Sequence, residues 1–212
     1  SATDAPISVK IATESSYKPF SYTDADGKLI GYEVELVDAL CAQMQAECEL
    51  ISQDWDGLIP GLNAQKFDAI IAGMSITPER QEVVEFTDPY FYTGIILIGK
   101  KGDNITVADL DGQPVASQRS TVSSQYLQDE YPNADIKLYD TQDNAYLDLT
   151  SGRVRAMMSD KVTGIDWLKT EAGADYEVKG EEISTDEDAM GIAFRKGDPL
   201  VGKFNTALAE LK

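Results

Sequence analysis

Arg80 sits where a cation is least expected. Residues 68–90 read DAIIAGMSITPERQEVVEFTDPY, and Ala69, Ile70, Ile71 and Ala72 form the short continuous apolar run of a buried strand, broken at Gly73. Thr77-Pro78-Glu79 then opens a helix, with Thr as cap and Pro at the first helical position. A helix start carries partial positive charge and free N–H groups, so an arginine in its first turn is mildly unfavourable. A carboxylate docked at that end resolves the conflict, because a guanidinium grips it through two parallel hydrogen bonds. The competing reading is a solvated surface arginine. Composition removes the chemistries that need an imidazole. The chain has no histidine, which removes Ser–His and Cys–His nucleophile pairs and imidazole metal sites together. No catalytic residue, metal or cofactor is expected.

A net charge of −19, from 18 basic and 37 acidic residues, argues against nucleic-acid binding. It is compatible with a salty medium or with the attraction of cationic solutes. The 212 residues are enough for one large domain or two ordinary ones, and 42% hydrophobic content reads as globular. The longest apolar runs are about five residues, far short of a membrane-spanning helix. The opening SATDAPI suggests a processed secreted form or a trimmed chain. Cys41 and Cys48 lie seven apart. On one unbroken helix their Cα atoms would be roughly 10.5 Å apart, too far for a disulfide. A bridge requires the helix to end between them, and Gln45-Ala46-Glu47 allows that. Two free buried thiols are the alternative, with the processed start favouring the bridge.

The elements that must position these residues follow a repeated plan. Residues 8–13 alternate as a strand, and residues 33–46 form a helix whose apolar face carries Val34, Val37, Cys41 and Met44. Residues 49–52 are a strand, 54–64 a short helix and 67–72 a strand. Residues 114–117, 121–131, 136–139, 141–151 and 154–159 repeat the strand–helix order, with a further helix through Trp167. A strand over 190–195 and a helix begun by Asp198-Pro199 close the chain. Two such blocks predict two α/β lobes, each with a central mostly parallel sheet flanked by helices. The first lobe takes residues 1–92 and 191–212, the second 93–190, with two connecting segments as a hinge. In open α/β sheets ligands sit beyond the C-terminal strand ends. Five segments leave such ends: Glu14 to Tyr17, Trp55, Gly73 to Arg80, Gln118 to Thr121, and Asp160.

With those segments in place, the chain resembles the periplasmic amino-acid-binding proteins of ABC importers, in the polar and basic amino-acid branch. The matching stretches are ATESSYKPFSY, GKLIGYEVELVDALC, WDGLIPGLNAQKFDAIIAGMSITPERQEVVEFTDPYF, LTSGRVRAMMSD and GIAFRKGDP, in order along essentially the whole chain. The resemblance implies the type II periplasmic-binding-protein fold, a cleft for one free amino acid, hinge closure, a permease partner and periplasmic localisation of a monomer with its signal peptide removed. It supports a Cys41–Cys48 disulfide like that of the lysine/arginine/ornithine and histidine binders. It implies that Arg80 takes the α-carboxylate with the N–H groups of Ser75 and Thr121. Asp160 takes the α-ammonium with the Ser75 hydroxyl and the Gly73 carbonyl; Met74 and Ser120 belong to the same loops. Tyr17 and Trp55 sandwich the ligand side chain, and Glu14 faces its far end. A distal carboxylate and two aromatic walls favour arginine, then lysine or ornithine.

This sequence departs from the family's pattern in three places. Arg119 stands where a glycine is usual, and its guanidinium either shades the carboxylate end or projects into the cleft. Val122 replaces a polar residue. The chain stops at Lys212, before the family's usual last turn and helix, which suggests truncation. The alternatives are a ligand-sensing module of a receptor with the same pocket, an opine or glutamine as ligand, and an enzyme resembling cyclohexadienyl dehydratases.

Overall fold

The first strand, Ser8–Thr13, starts with its residues alternately exposed and buried and ends buried through Ile11, Ala12 and Thr13. A computed structural model describes it together with the rest of residues 6–212. The strand pairs in parallel with Glu47–Ser52 on one side and Ala69–Ile70 on the other. Parallel neighbours need crossovers, which helices Tyr32–Met44 and Leu58–Asn63 supply. Ala193–Phe194 and Glu85–Phe86 extend the sheet in antiparallel sense. Val9, Ile11, Val37, Leu40, Phe194 and Phe204 fill one face of this sheet. Ala12, Leu58, Leu62, Phe67 and Ile70 fill the other.

The second sheet repeats the design. Pro114–Gln118 lies between Asp135–Tyr139 and Ala156–Asp160, parallel to both. Ile95–Lys100 pairs antiparallel with Ala156–Asp160, and Tyr176–Val178 antiparallel with Ile95–Lys100. Each sheet is thus a parallel core with antiparallel strands added. Helices Val122–Glu130, Gln142–Thr150 and Lys161–Leu168 follow the three parallel strands. Leu97, Val115, Leu127 and Met158 pack on one face, Ile96, Ala116, Leu149 and Met157 on the other. Among the described residues no helix is long and apolar enough to cross a membrane.

The two sheets belong to two units. One holds the described residues through Ser15, with Phe20–Tyr92 and Ala189–Lys212; the other holds Ser16–Pro19 and Thr93–Asp188. Two segments depart from the lobes read in the sequence. Ser16–Pro19 joins the second unit because strand Ser16–Tyr17 lies against helix Gln142–Thr150. Ala189–Met190 joins the first because it pairs antiparallel with Phe91–Tyr92, and Met190 is bridged to Ser75. The strand expected over 190–195 is split accordingly. Gly191 separates its two halves, and a Cβ there would meet Ile76 Cδ1 at 2.9 Å.

Helix Tyr32–Met44 ends at Gln45, whose backbone is left-handed at φ 53°, and the Ala46 N–H donates to the Cys41 carbonyl at 2.9 Å. That break lies between the two cysteines. It brings their Cα atoms to 6.3 Å, and Cys41 and Cys48 form a disulfide.

Candidate ligand-binding site

Parallel strands end on one edge of their sheet, so the residues following them collect there. In the first unit Gly73 follows Ala69–Ile70 and turns the chain with φ 60°, a conformation that favours glycine. Its N–H donates to Glu33 Oε2 at 2.7 Å. Met74 is buried, and its carbonyl accepts the Gly191 N–H at 3.1 Å. Ser75 is buried too, and its carbonyl accepts a hydrogen bond from Arg80 Nη1 at 2.7 Å.

The turn that carries Arg80 is the expected one. Thr77 caps helix Pro78–Gln81, its hydroxyl accepting the Arg80 N–H at 3.1 Å with Pro78 first in the helix. The guanidinium carbon lies 5.4 Å from the centre of the Trp55 ring, a cation–π contact. Arg80 is therefore held from two sides by its own unit. Trp55 is half-buried in a single 3-10 turn and packs on the Leu58–Phe67 side of the core. The aromatic expected to line a ligand thus also steadies the arginine expected to grip it. Glu14 is 3% exposed at the end of the first strand.

In the second unit Thr121 caps helix Val122–Glu130 with a reciprocal capping box. The Ser124 N–H donates to Thr121 Oγ1 at 3.1 Å, and the Thr121 N–H donates to Ser124 Oγ at 3.1 Å. The N–H expected to aid a carboxylate is engaged inside its own helix start. Ser120 has φ 62°, a left-handed backbone that costs a non-glycine residue about 1 kcal/mol. Arg119 is exposed and pairs with Asp140, the residue following Asp135–Tyr139. Tyr17 is buried and groups with this unit.

Asp160 ends its strand and caps helix Lys161–Leu168, its Oδ1 accepting the Thr163 N–H at 3.0 Å. Its Oδ2 accepts the Thr93 hydroxyl at 2.7 Å. Burial pushes its carboxyl up to about 6, partly offset by the Thr93 bond and the backbone donors of the helix start. Two carboxylate oxygens offer about four acceptor sites, so a further donor is accommodated.

Three groups tied through hydrogen bonds to these residues were not anticipated: Glu33 and Tyr90 in the first unit and Thr93 in the second. Thr93 and Tyr90 lie in an extended stretch with no periodic signal. Glu33 had one signal. It shares the buried face of its helix with Val37, Leu40 and Cys41, so a carboxylate occupies an apolar position.

The chain matches the family described as bacterial extracellular solute-binding proteins, family 3, over residues 9–212. It is 36% identical over 208 residues to ABC transporter arginine-binding protein 1 of Escherichia coli strain K12, covering 96% of this chain and 85% of that one. Two solved structures of an ancestral arginine-binding protein also match at 35% identity. The glutamine-bound form has a TM-score of 0.91 and covers 98% of this chain and 92% of the other. The arginine-bound form has a TM-score of 0.90 and covers 96% and 92%. These matches confirm the type II periplasmic-binding-protein fold expected from the sequence. The chain belongs to family 3 of the bacterial extracellular solute-binding proteins.

Proposed function

We propose that the protein captures one free amino acid, arginine first and lysine or ornithine next, outside the cytoplasm, and delivers it to the membrane permease of an ABC importer. The observation that carries this reading is a pair of opposite charges at strand ends. Arg80 is fixed by the Ser75 carbonyl and Trp55 in one unit, and Asp160 by Thr93 and a helix start in the other. A zwitterion needs one of each, and a buried charge without its partner is costly. Arg80 takes the α-carboxylate. Asp160, the Ser75 hydroxyl and the Gly73 carbonyl take the α-ammonium. Glu14, buried and acidic, takes the distal cation of a basic side chain, with Tyr17 and Trp55 along its stem. Loops 73–75 and 119–121 supply the surrounding backbone.

A ligand that engages both units selects the arrangement in which both reach it, through its differential affinity for that state. No bond is made or broken, and the protein acts as a carrier in the periplasm. The Cys41–Cys48 disulfide suits that oxidising compartment. The arginine-binding names of the matched proteins support arginine, and the glutamine-bound ancestor keeps glutamine as an alternative ligand behind lysine and ornithine. A thermal-shift panel of arginine, lysine, ornithine, glutamine and octopine tests the order. A ligand binding only the folded state adds RT ln(1 + [L]/Kd), about 2.7 kcal/mol at a hundredfold excess over Kd. Arginine gives the largest shift; a shift with glutamine alone reverses the assignment of Glu14.

A further inference from the structure

Glu33 is fully buried and has no part in the roles assigned above. Its Oε2 accepts both the Gly73 N–H, at 2.7 Å, and the Tyr90 hydroxyl. The Tyr90 N–H in turn donates to the Met190 carbonyl at 3.0 Å, and Met190 is the residue bridged to Ser75. One carboxyl at a helix start therefore ties down the turn at Gly73 and the strand that flanks Ser75. We propose that Glu33 is a positioning residue for ligand binding: its carboxylate holds residues 73–75 in the shape that receives the ligand's ammonium, and that hold loosens when Glu33 takes up a proton. This rests on the amino-acid reading above, in which the Gly73 carbonyl and Ser75 hydroxyl meet that ammonium.

Hydrogen bonds to a charged acceptor are roughly twice as strong as neutral ones, so the anion grips Gly73 and Tyr90 harder than the acid does. The groups facing Glu33 come from several elements. Tyr90 precedes Phe91–Tyr92, Glu14 follows Ser8–Thr13, Ser21 opens Ser21–Thr23, and Tyr32 adjoins it on its own helix. Burial pushes the Glu33 carboxyl up to about 7 and the nearby Glu14 charge adds to this, against the hydrogen bonds of Tyr90, Gly73 and Ser21. If the bound state needs the anion, binding releases a proton near neutrality. Affinity is then fully present above about pH 7 and weakens as pH falls through it, a step separate from that of Asp160 near 6.

Calorimetric titration of arginine across about pH 5 to 8.5, on the wild type, Glu33→Gln and Tyr90→Phe, tests this. Glu33→Gln keeps an acceptor oxygen and carries no charge at any pH. It binds arginine roughly three- to tenfold more weakly than the wild type at pH about 8, and the gap closes by pH about 6. Tyr90→Phe keeps the carboxylate but removes a donor to it, so the upper step of the affinity profile moves to higher pH. A ratio constant across pH, equal affinities at pH about 8, or an unmoved step in Tyr90→Phe overturns the proposal while leaving amino-acid binding intact. A wild type that binds no amino acid at any pH overturns both.

Discussion

On the proposed reading, Asp160 serves fold and ligand together. It caps a helix, which is the ordinary use of an aspartate at that place, and the cap orients its carboxylate. Burial raises its pKa to about 6, so the unliganded protein holds it partly protonated at mildly acid pH. A ligand ammonium favours the charged form and draws the proton off. The Asp160 contribution to arginine affinity is therefore full above about pH 6 and weakens by up to about tenfold per unit below it, a step lower than that of Glu33 near 7. Titrating Asp160→Asn alongside the wild type checks the assignment, because the variant lacks this step. Glu14→Gln separates ligands instead: it weakens arginine and lysine by tenfold or more, about 1.4 kcal/mol, and leaves glutamine nearly unchanged. Competition binding with the three amino acids reads this directly. At this scale the turn that carries Arg80 was legible because Thr77-Pro78 announces the cap. Glu33 was not, since an acidic first turn looks like routine compensation of the helix dipole. Its place on the apolar face was the one signal, and its bonds to Gly73 and Tyr90 show what it holds.

Among the elements, the end of helix Tyr32–Met44 does the most for its size. The left-handed Gln45 stops the helix, and the Cys41–Cys48 disulfide fastens that stop to strand Glu47–Ser52. Closing a loop this short stabilises by roughly 2–3 kcal/mol in the chain-entropy model. A Cys41→Ser/Cys48→Ser double variant loses about that much in denaturant unfolding, and reducing agent lowers the wild type to the same value. Thr121→Ala removes the cap of Val122–Glu130 and costs about 1 kcal/mol in the same assay. Helices were the legible elements, because caps and apolar faces stand in the local sequence. Thr77 caps its helix as read, and Thr121 and Thr141 cap theirs in the same way. Strands were less legible. Residues 69–70 and 193–194 are short pieces whose partners come from distant segments, and Gly191 breaks a run that looked continuous.

At the scale of the whole molecule, a buried acid sets how stability varies with pH. The chain carries −19, and one of its carboxyls, Glu33, is buried with its pKa raised to about 7 from 4.5. A raised carboxyl binds more protons in the folded state than in the unfolded state. Its contribution to stability is full below about pH 4.5 and is lost as pH rises through about 7. Compared with Glu33→Gln, the unliganded wild type loses on the order of 3 kcal/mol across that window. Paired urea unfolding curves at the two ends measure it. Both α/β units and their strand-end loops could be read from the alternation of strand and helix. The crossing of Ser16–Pro19 into the second unit could not, because only tertiary packing against Gln142–Thr150 sets it. The most direct measurement is isothermal titration of arginine into the wild type, Arg80→Ala and Asp160→Asn. One arginine binds per chain, and each variant loses about 2–5 kcal/mol, thirtyfold or more in Kd. Arginine bound equally well by all three, or by none, contradicts the assignment of the two charges to the two ends of an amino acid.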